Sequence, residues 1–277
     1  MFPPEIFAEI FGFLGSEARV LLACSQAHPT FAQLIEPTLY THVIIYNRSD
    51  ADSEDGHHLK LKPYQLSTLL SDNPRIRNYL HSLCVDFFWL FSDVVATKEM
   101  SAILPRLKLE RIQLTFGHAD FCIEWEQCSN AFRTAFVACI STSFMKEVCL
   151  DGVCRVPLSS FADCVGLKRL MLRYSALPPS DSSFKFPHLE ALELFDWTVV
   201  DYSQDFFSWV LTHACGLRSL TLTTSTTSVL RGFLPRLLAI FSTSLVNLTI
   251  YHAKSSKPIH PVTRVVLTLS YYSTSEV

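Results

Sequence analysis

Leu167-Lys168-Arg169-Leu170-Met171-Leu172, followed 22 residues later by Leu189-Glu190-Ala191-Leu192-Glu193-Leu194, is the stretch whose reading decides the fold. Both blocks space their leucines as L-x-x-L-x-L. The alternation between the fourth and sixth positions is the period of a strand with one face buried. The same spacing recurs at Leu80-Leu83-Val85, Leu109-Ile112-Leu114, Met145-Val148-Leu150, Leu217-Leu220-Leu222 and Leu245-Leu248-Ile250. Successive starting positions differ by 29, 36, 22, 22, 28 and 28 residues, a repeat of 20 to 29 residues with one longer insertion. Each unit supplies a short strand and then a return segment that brings the chain back for the next parallel strand.

The segments between the matches supply return helices at residues 130–140, 156–164, 204–213 and 230–241. Short parallel strands alternating with helices make an α/β solenoid. Three residues after the last leucine, where a regular leucine-rich repeat carries asparagine, stand Gly117, Val153, Ser175, Trp197, Ser225 and Ala253, so the repeats are irregular. Residues 262–269 read as one more strand. Beyond it no polar cap follows, so either the last repeat is frayed or the natural domain is longer.

The N-terminal forty residues follow another period. Pro3-Pro4 and then Glu5 start a helix, since proline at the first helical position loses no hydrogen bond and an acidic side chain suits the positive end of the dipole. The helix runs to about Leu14. Ile6, Ile10 and Phe13 or Leu14 form one apolar stripe, and Phe7 with Phe11 forms a second beside it. A helix apolar over most of its girth needs cover on two sides. Ser16 caps a second helix at about residues 17–27, with Val20, Leu21 and Cys24 inward. Pro29 opens a third, carrying Phe31, Leu34 and Ile35, and Pro37 stops it.

This order of residues resembles the F-box, the small helical module that docks on a Skp-type adaptor. The residues that carry the resemblance are Pro3, Pro4, Glu5, Ile6, Ile10, Leu14, Leu21, Leu22, Cys24, Phe31, Leu39 and Tyr40, within about residues 2–43. Phe2 stands where leucine is commonest in the family, and Phe31 where many members have tryptophan. With the repeats behind it, the chain is similar to the large fungal group of F-box proteins with divergent leucine-rich repeats. The implied fold is α/β, a three-helix F-box followed by an irregular leucine-rich-repeat solenoid. The resemblance implies adaptor contacts from Pro3, Pro4, Glu5, Ile6, Ile10, Leu14, Leu21 and Leu22, and a role as the non-catalytic substrate receptor of a cullin-based (SCF) ubiquitin ligase. The adaptor, through it a cullin, and a protein target are the implied partners. Another reading makes the chain a repeat scaffold with no ubiquitin-transfer role, its helices only capping the solenoid.

These readings divide the chain into a helical module at 1–43, a linker at 44–75 and a repeat domain at 76–277. The linker opens with a β-rich run at 43–46 and then holds the stretch 47–58. That stretch has almost no apolar side chain and four acidic groups within six residues, so it reads as a mobile acidic loop. On an L-x-x-L-x-L strand the residues between the leucines point away from the core. Arg169, Met171, Glu193 and Thr221 hold such positions, and Tyr174 and Trp197 follow their strands. Together they are the candidate target-binding residues.

The chain has 277 residues, half of them hydrophobic, which is ample for a core. A formal net charge of −3 with no clustered basic excess argues against nucleic acid. No window is long and apolar enough for a membrane span, and no basic segment precedes the apolar N-terminus as in a secretory signal. The expected location is cytoplasmic or nuclear. The nine cysteines include no C-x-x-C pair and read as reduced core residues. In a reducing compartment the glycosylation triplets at Asn47 and Asn247 are chance matches. No nucleotide loop, nucleophile elbow or metalloprotease motif occurs. No cofactor or metal is expected: the pairs Cys122 and Cys128, and Cys149 and Cys154, lack zinc-knuckle spacing. His57-His58 reads as part of the solvated loop, and His118, His188 and His213 are isolated.

Overall fold

The computed structural model describes residues 3–14, 17–46, 58–86, 93–116, 123–161, 163–173, 189–195, 216–224, 235, 239, 244–252 and 263–268. The chain is of the α/β class. It divides into two compact units, Met1–Gly117 with Cys128–Ile140, and His118–Gln127 with Ser141–Val277.

The first unit opens with α1 (Pro4–Phe13), α2 (Ala18–Ala27) and α3 (Pro29–Leu39). Pro37 does not stop α3 but lies in its last turn. A proline there forfeits one backbone bond, and the Thr41 hydroxyl donates to the Pro37 carbonyl, which the helix end would otherwise leave open. Ser16, the expected cap of α2, lies outside the described residues. Strands β1 (His42–Ile45), β2 (Leu59–Leu61), β3 (Ser82–Asp86) and β4 (Arg111–Thr115) lie in the order β2-β1-β3-β4, all parallel.

Part of the expected linker at 44–75 is ordered structure: it holds β2 and α4 (Pro63–Asp72). Pro63 sits at the first helical position of α4, and Gln65 Oε1 accepts the Lys62 N–H at 2.8 Å. Leu66 and Leu70, one turn apart, are buried. The loop at 47–58 falls outside the described residues except for His58. Asp93 Oδ1 caps α5 (Val94–Ile103) by accepting the Ala96 N–H at 2.9 Å. α6 (Asn130–Ile140) is the first expected return helix, begun by Ser129 Oγ accepting from the Phe132 N–H.

In the second unit β6 (Glu147–Asp151), β8 (Arg169–Arg173), β9 (Ala191–Phe195), β10 (Ser219–Thr224) and β11 (Asn247–His252) run parallel in that order. β5 (Ile123–Glu124) and β7 (Val153–Cys154) form a separate parallel pair. Of the return helices expected here, 156–164 is only a 3-10 turn at Leu158–Phe161, while 204–213 lies outside the described residues, as does 230–241 apart from helical Pro235 and Ala239. β12 (Thr263–Thr268) is the expected last strand, but it pairs antiparallel with β11. Its ten-residue connection from β11 is shorter than a parallel crossover requires.

All seven L-x-x-L-x-L matches form strands starting two residues after the first apolar position, and every one of their apolar side chains is buried. An eighth match, Tyr40-Val43-Ile45, precedes them on β1. Backbone hydrogen bonding holds the register. The carbonyl of the residue after the first apolar position accepts two N–H groups from the next repeat. Thus Thr41 accepts from His81 and Ser82, Lys146 from Lys168 and Arg169, Lys168 from Glu190 and Ala191, and Arg218 from Val246 and Asn247, all at 2.8 to 3.1 Å. A recurrent backbone contact of this kind is indifferent to side-chain identity, so the repeats keep register without an asparagine ladder.

Candidate docking surface

The two apolar stripes of α1 have opposite fates. Phe7 and Phe11 turn inward to Phe31 of α3, with ring centroids 4.8 Å and 5.5 Å from it; the Phe11 contact is edge-to-face. This aromatic cluster is what joins α1 to α3. Rotated away from it, Ile6 and Ile10 are 41% and 46% exposed and Phe13 is 90% exposed. Their i, i+4, i+7 spacing aligns them on one face. Val20 and Leu22 of α2 are exposed as well. Scattered single apolar residues on a surface are ordinary, but a helical stripe ending in an open phenylalanine is a patch suited to a partner.

Pro3, Pro4 and Glu5 precede the stripe and are exposed, Leu22 is exposed, and Leu14 is half-buried. Leu21 is different: at 1% exposed it is a core residue of α2 and has no surface to offer an adaptor. Val20, expected inward, faces outward instead. The helix turns by about 100° per residue, so burying Leu21 carries its neighbour Val20 away from the core.

No protein-family model matches the chain, and a search of curated proteins also gives no match.

Of the residues expected to bind a target, Arg169 is exposed and stands between two carboxylates. Its guanidinium lies 3.6 Å from Glu193 and 3.9 Å from Glu147. Register places Glu147 beside Arg169, and Glu193 on the diagonal. Partly exposed pairs at these distances contribute little stability but fix a charge pattern on the strand face. Glu193 and Thr221 are half-buried. Met171, expected on the open face, is only 4% exposed, and its register neighbour Cys149 is buried too. This part of the outward-facing row is therefore covered, and Met171 is withdrawn from a recognition surface. Tyr174 and Trp197 lie outside the described residues.

No group of three His, Cys, Asp or Glu side chains placed to hold a metal occurs among the described residues. Burial pushes the Cys128 and Cys164 thiols up to about 12, so both stay protonated and unreactive at neutral pH. Among the described residues no helix is long and apolar enough to cross a membrane.

Proposed function

We propose that the chain is the substrate-recognition subunit of an SCF-type ubiquitin ligase, with α1 to α3 as an F-box docking on a Skp-family adaptor and the leucine-rich repeats binding a protein target. The observation that carries this reading is the exposed stripe Ile6, Ile10 and Phe13 on a helix whose other stripe is already committed to Phe31. In this role the chain performs no chemistry. It binds the adaptor at one end and holds a target by its repeats, which raises the target's effective concentration at the ligase's charged ubiquitin carrier. Its place of action is the cytoplasm or nucleus.

The alternative, a scaffold whose helices merely cap the solenoid, expects Ile6, Ile10 and Leu14 all to be internal. Only Leu14 is even half-buried. Co-expression with a Skp-type adaptor tests the proposal. The wild-type chain is expected to co-purify with the adaptor at equal stoichiometry, and the double variant Ile6→Asp with Ile10→Asp to lose it while retaining its own melting transition. A wild-type chain that purifies without the adaptor overturns the docking role.

A further inference from the structure

A second feature of the first unit lies apart from the docking stripe. Parallel register aligns His42, Ser82 and Arg111 in one row across β1, β3 and β4, so that their side chains share a face, and His58 immediately precedes β2, whose Leu59 pairs with Val43. The row carries donors and cation-forming groups and no carboxylate. His42 Nδ1 is 2.7 Å from Ser82 Oγ, which fixes the ring and leaves Nε2 as the nitrogen able to meet a ligand. The His58 ring stands beside it, centroid to centroid 4.5 Å.

Both histidines line a half-open cavity of about 390 Å³. The rest of its wall is largely apolar: Ala18 and Leu21 of α2, Pro37 and Leu39 of α3, and Leu59 of β2. A cavity of this size, apolar along its body and polar at one end, has the form of a small-molecule site. Its polar end is formed by the two histidine rings and the hydroxyls of Thr38 and Thr41, with no acidic side chain among the described lining residues, so an anionic group meets hydrogen-bond donors there without a competing negative charge.

The geometry points to this cavity as a binding site for a small amphipathic carboxylate, with its apolar body against Pro37, Ala18 and Leu59 and its carboxylate against the rings of His42 and His58. None of the exposed stripe residues Ile6, Ile10 and Phe13 lines the cavity, and the inference does not rest on the role proposed for that stripe.

Sodium octanoate, 1-octanol and sodium acetate, titrated into the full chain near neutral pH, separate the contributions of charge and apolar body. Calorimetry and the histidine ring resonances report binding. Octanoate is expected to bind at least about tenfold more tightly than either control and to shift the His42 and His58 resonances. His58→Leu is expected to weaken octanoate about tenfold without weakening octanol, since it removes one hydrogen-bond partner of the carboxylate and leaves an apolar side chain in its place. Thr38→Phe, which fills the cavity from an exposed position on its wall, is expected to abolish octanoate binding. Equal affinity for octanol and octanoate, an unchanged octanoate affinity in both variants, or no resonance shift up to the solubility limit of octanoate overturns the site.

Discussion

Arg75 Nη2 donates a 2.8 Å hydrogen bond to Glu36 Oε1, joining the last turns of α3 to the 3-10 turn Pro74–Asn78 that follows α4. The Glu36 side chain is almost wholly buried, and its second oxygen, Oε2, has no hydrogen-bond partner among the described residues. Arg75 is thus the counter-charge of a carboxylate that the fold has already removed from water. Replacing it by Met leaves that carboxylate desolvated and uncompensated, which is expected to cost about 1–3 kcal/mol; the half-exposed guanidinium keeps the figure below that of a fully buried pair. Adding Glu36→Gln to Arg75→Met is expected to recover part of the loss, because the amide is far cheaper to bury than the anion. Urea midpoints of the two single variants and the double variant check this, and strictly additive losses would contradict it.

The two stripes of α1 predict opposite mutational outcomes within one helical module. Phe31→Ala opens the cluster it shares with Phe7 and Phe11 and is expected to destabilise the protein by about 2–4 kcal/mol, since Phe31 is itself only partly buried. Phe13→Ser removes an almost fully exposed ring and is expected to shift stability by less than about 0.5 kcal/mol. If the proposed docking role holds, adaptor binding is expected to reverse the ranking, with Phe13→Ser losing affinity in a protein that melts normally. Calorimetric melting and adaptor titration on the same two variants separate core from surface.

Much of this arrangement was legible in the sequence because both helix and strand signals are apolar periods. The period-two leucines from Leu80 to Ile250 mark seven strands, and the two stripes of α1 were visible as excess apolar girth. Which stripe would close was not legible, since it depends on Phe31 arriving from another helix. Tyr40 concealed the first repeat: an aromatic at the leading position, at the end of α3, read as the close of the helical module rather than the start of a strand unit. Ser82 and His42 carry no periodic signal at all. They meet because parallel register places residues 40 positions apart side by side. For the same reason Met171 misled, since alternation gives the face a side chain occupies but not what covers that face.

His42 makes stability depend on acid. Burial, then the nearby His58 and Arg111, lower its value from 6.5 to about 4, so the folded ring binds a proton more weakly than the unfolded one. Protons therefore favour unfolding. This contribution is fully present above about pH 6.5 and is lost as the pH falls toward 4; allowing for the partial exposure of the ring it is of order 1–2 kcal/mol. His42→Gln can retain a contact with Ser82 but cannot titrate. The gap in denaturant midpoint between wild type and variant is expected to narrow, or change sign, as the pH is lowered from 7 to about 4. A gap independent of pH would show that His42 titrates as an ordinary exposed histidine.

Gly166 occupies the turn into β8 because no side chain fits there. A Cβ at this position would lie 2.7 Å from the Ser143 carbonyl oxygen and 2.8 Å from that of Met145. Neither obstacle is a flexible side chain that could swing aside. Both are backbone atoms leading into β6, and the next carbonyl along, that of Lys146, receives the N–H groups of Lys168 and Arg169. Even alanine must therefore push two adjacent repeats apart at the point where their backbones are bonded. Gly166→Ala is expected to destabilise the protein by about 1–3 kcal/mol, although alanine is the smallest possible addition and would be favoured by chain entropy alone. The loss is expected to appear as faster hydrogen exchange at the Lys168 and Arg169 amides. Unchanged protection of those two amides together with an unchanged melting temperature would show that the close approach is not a constraint on the fold.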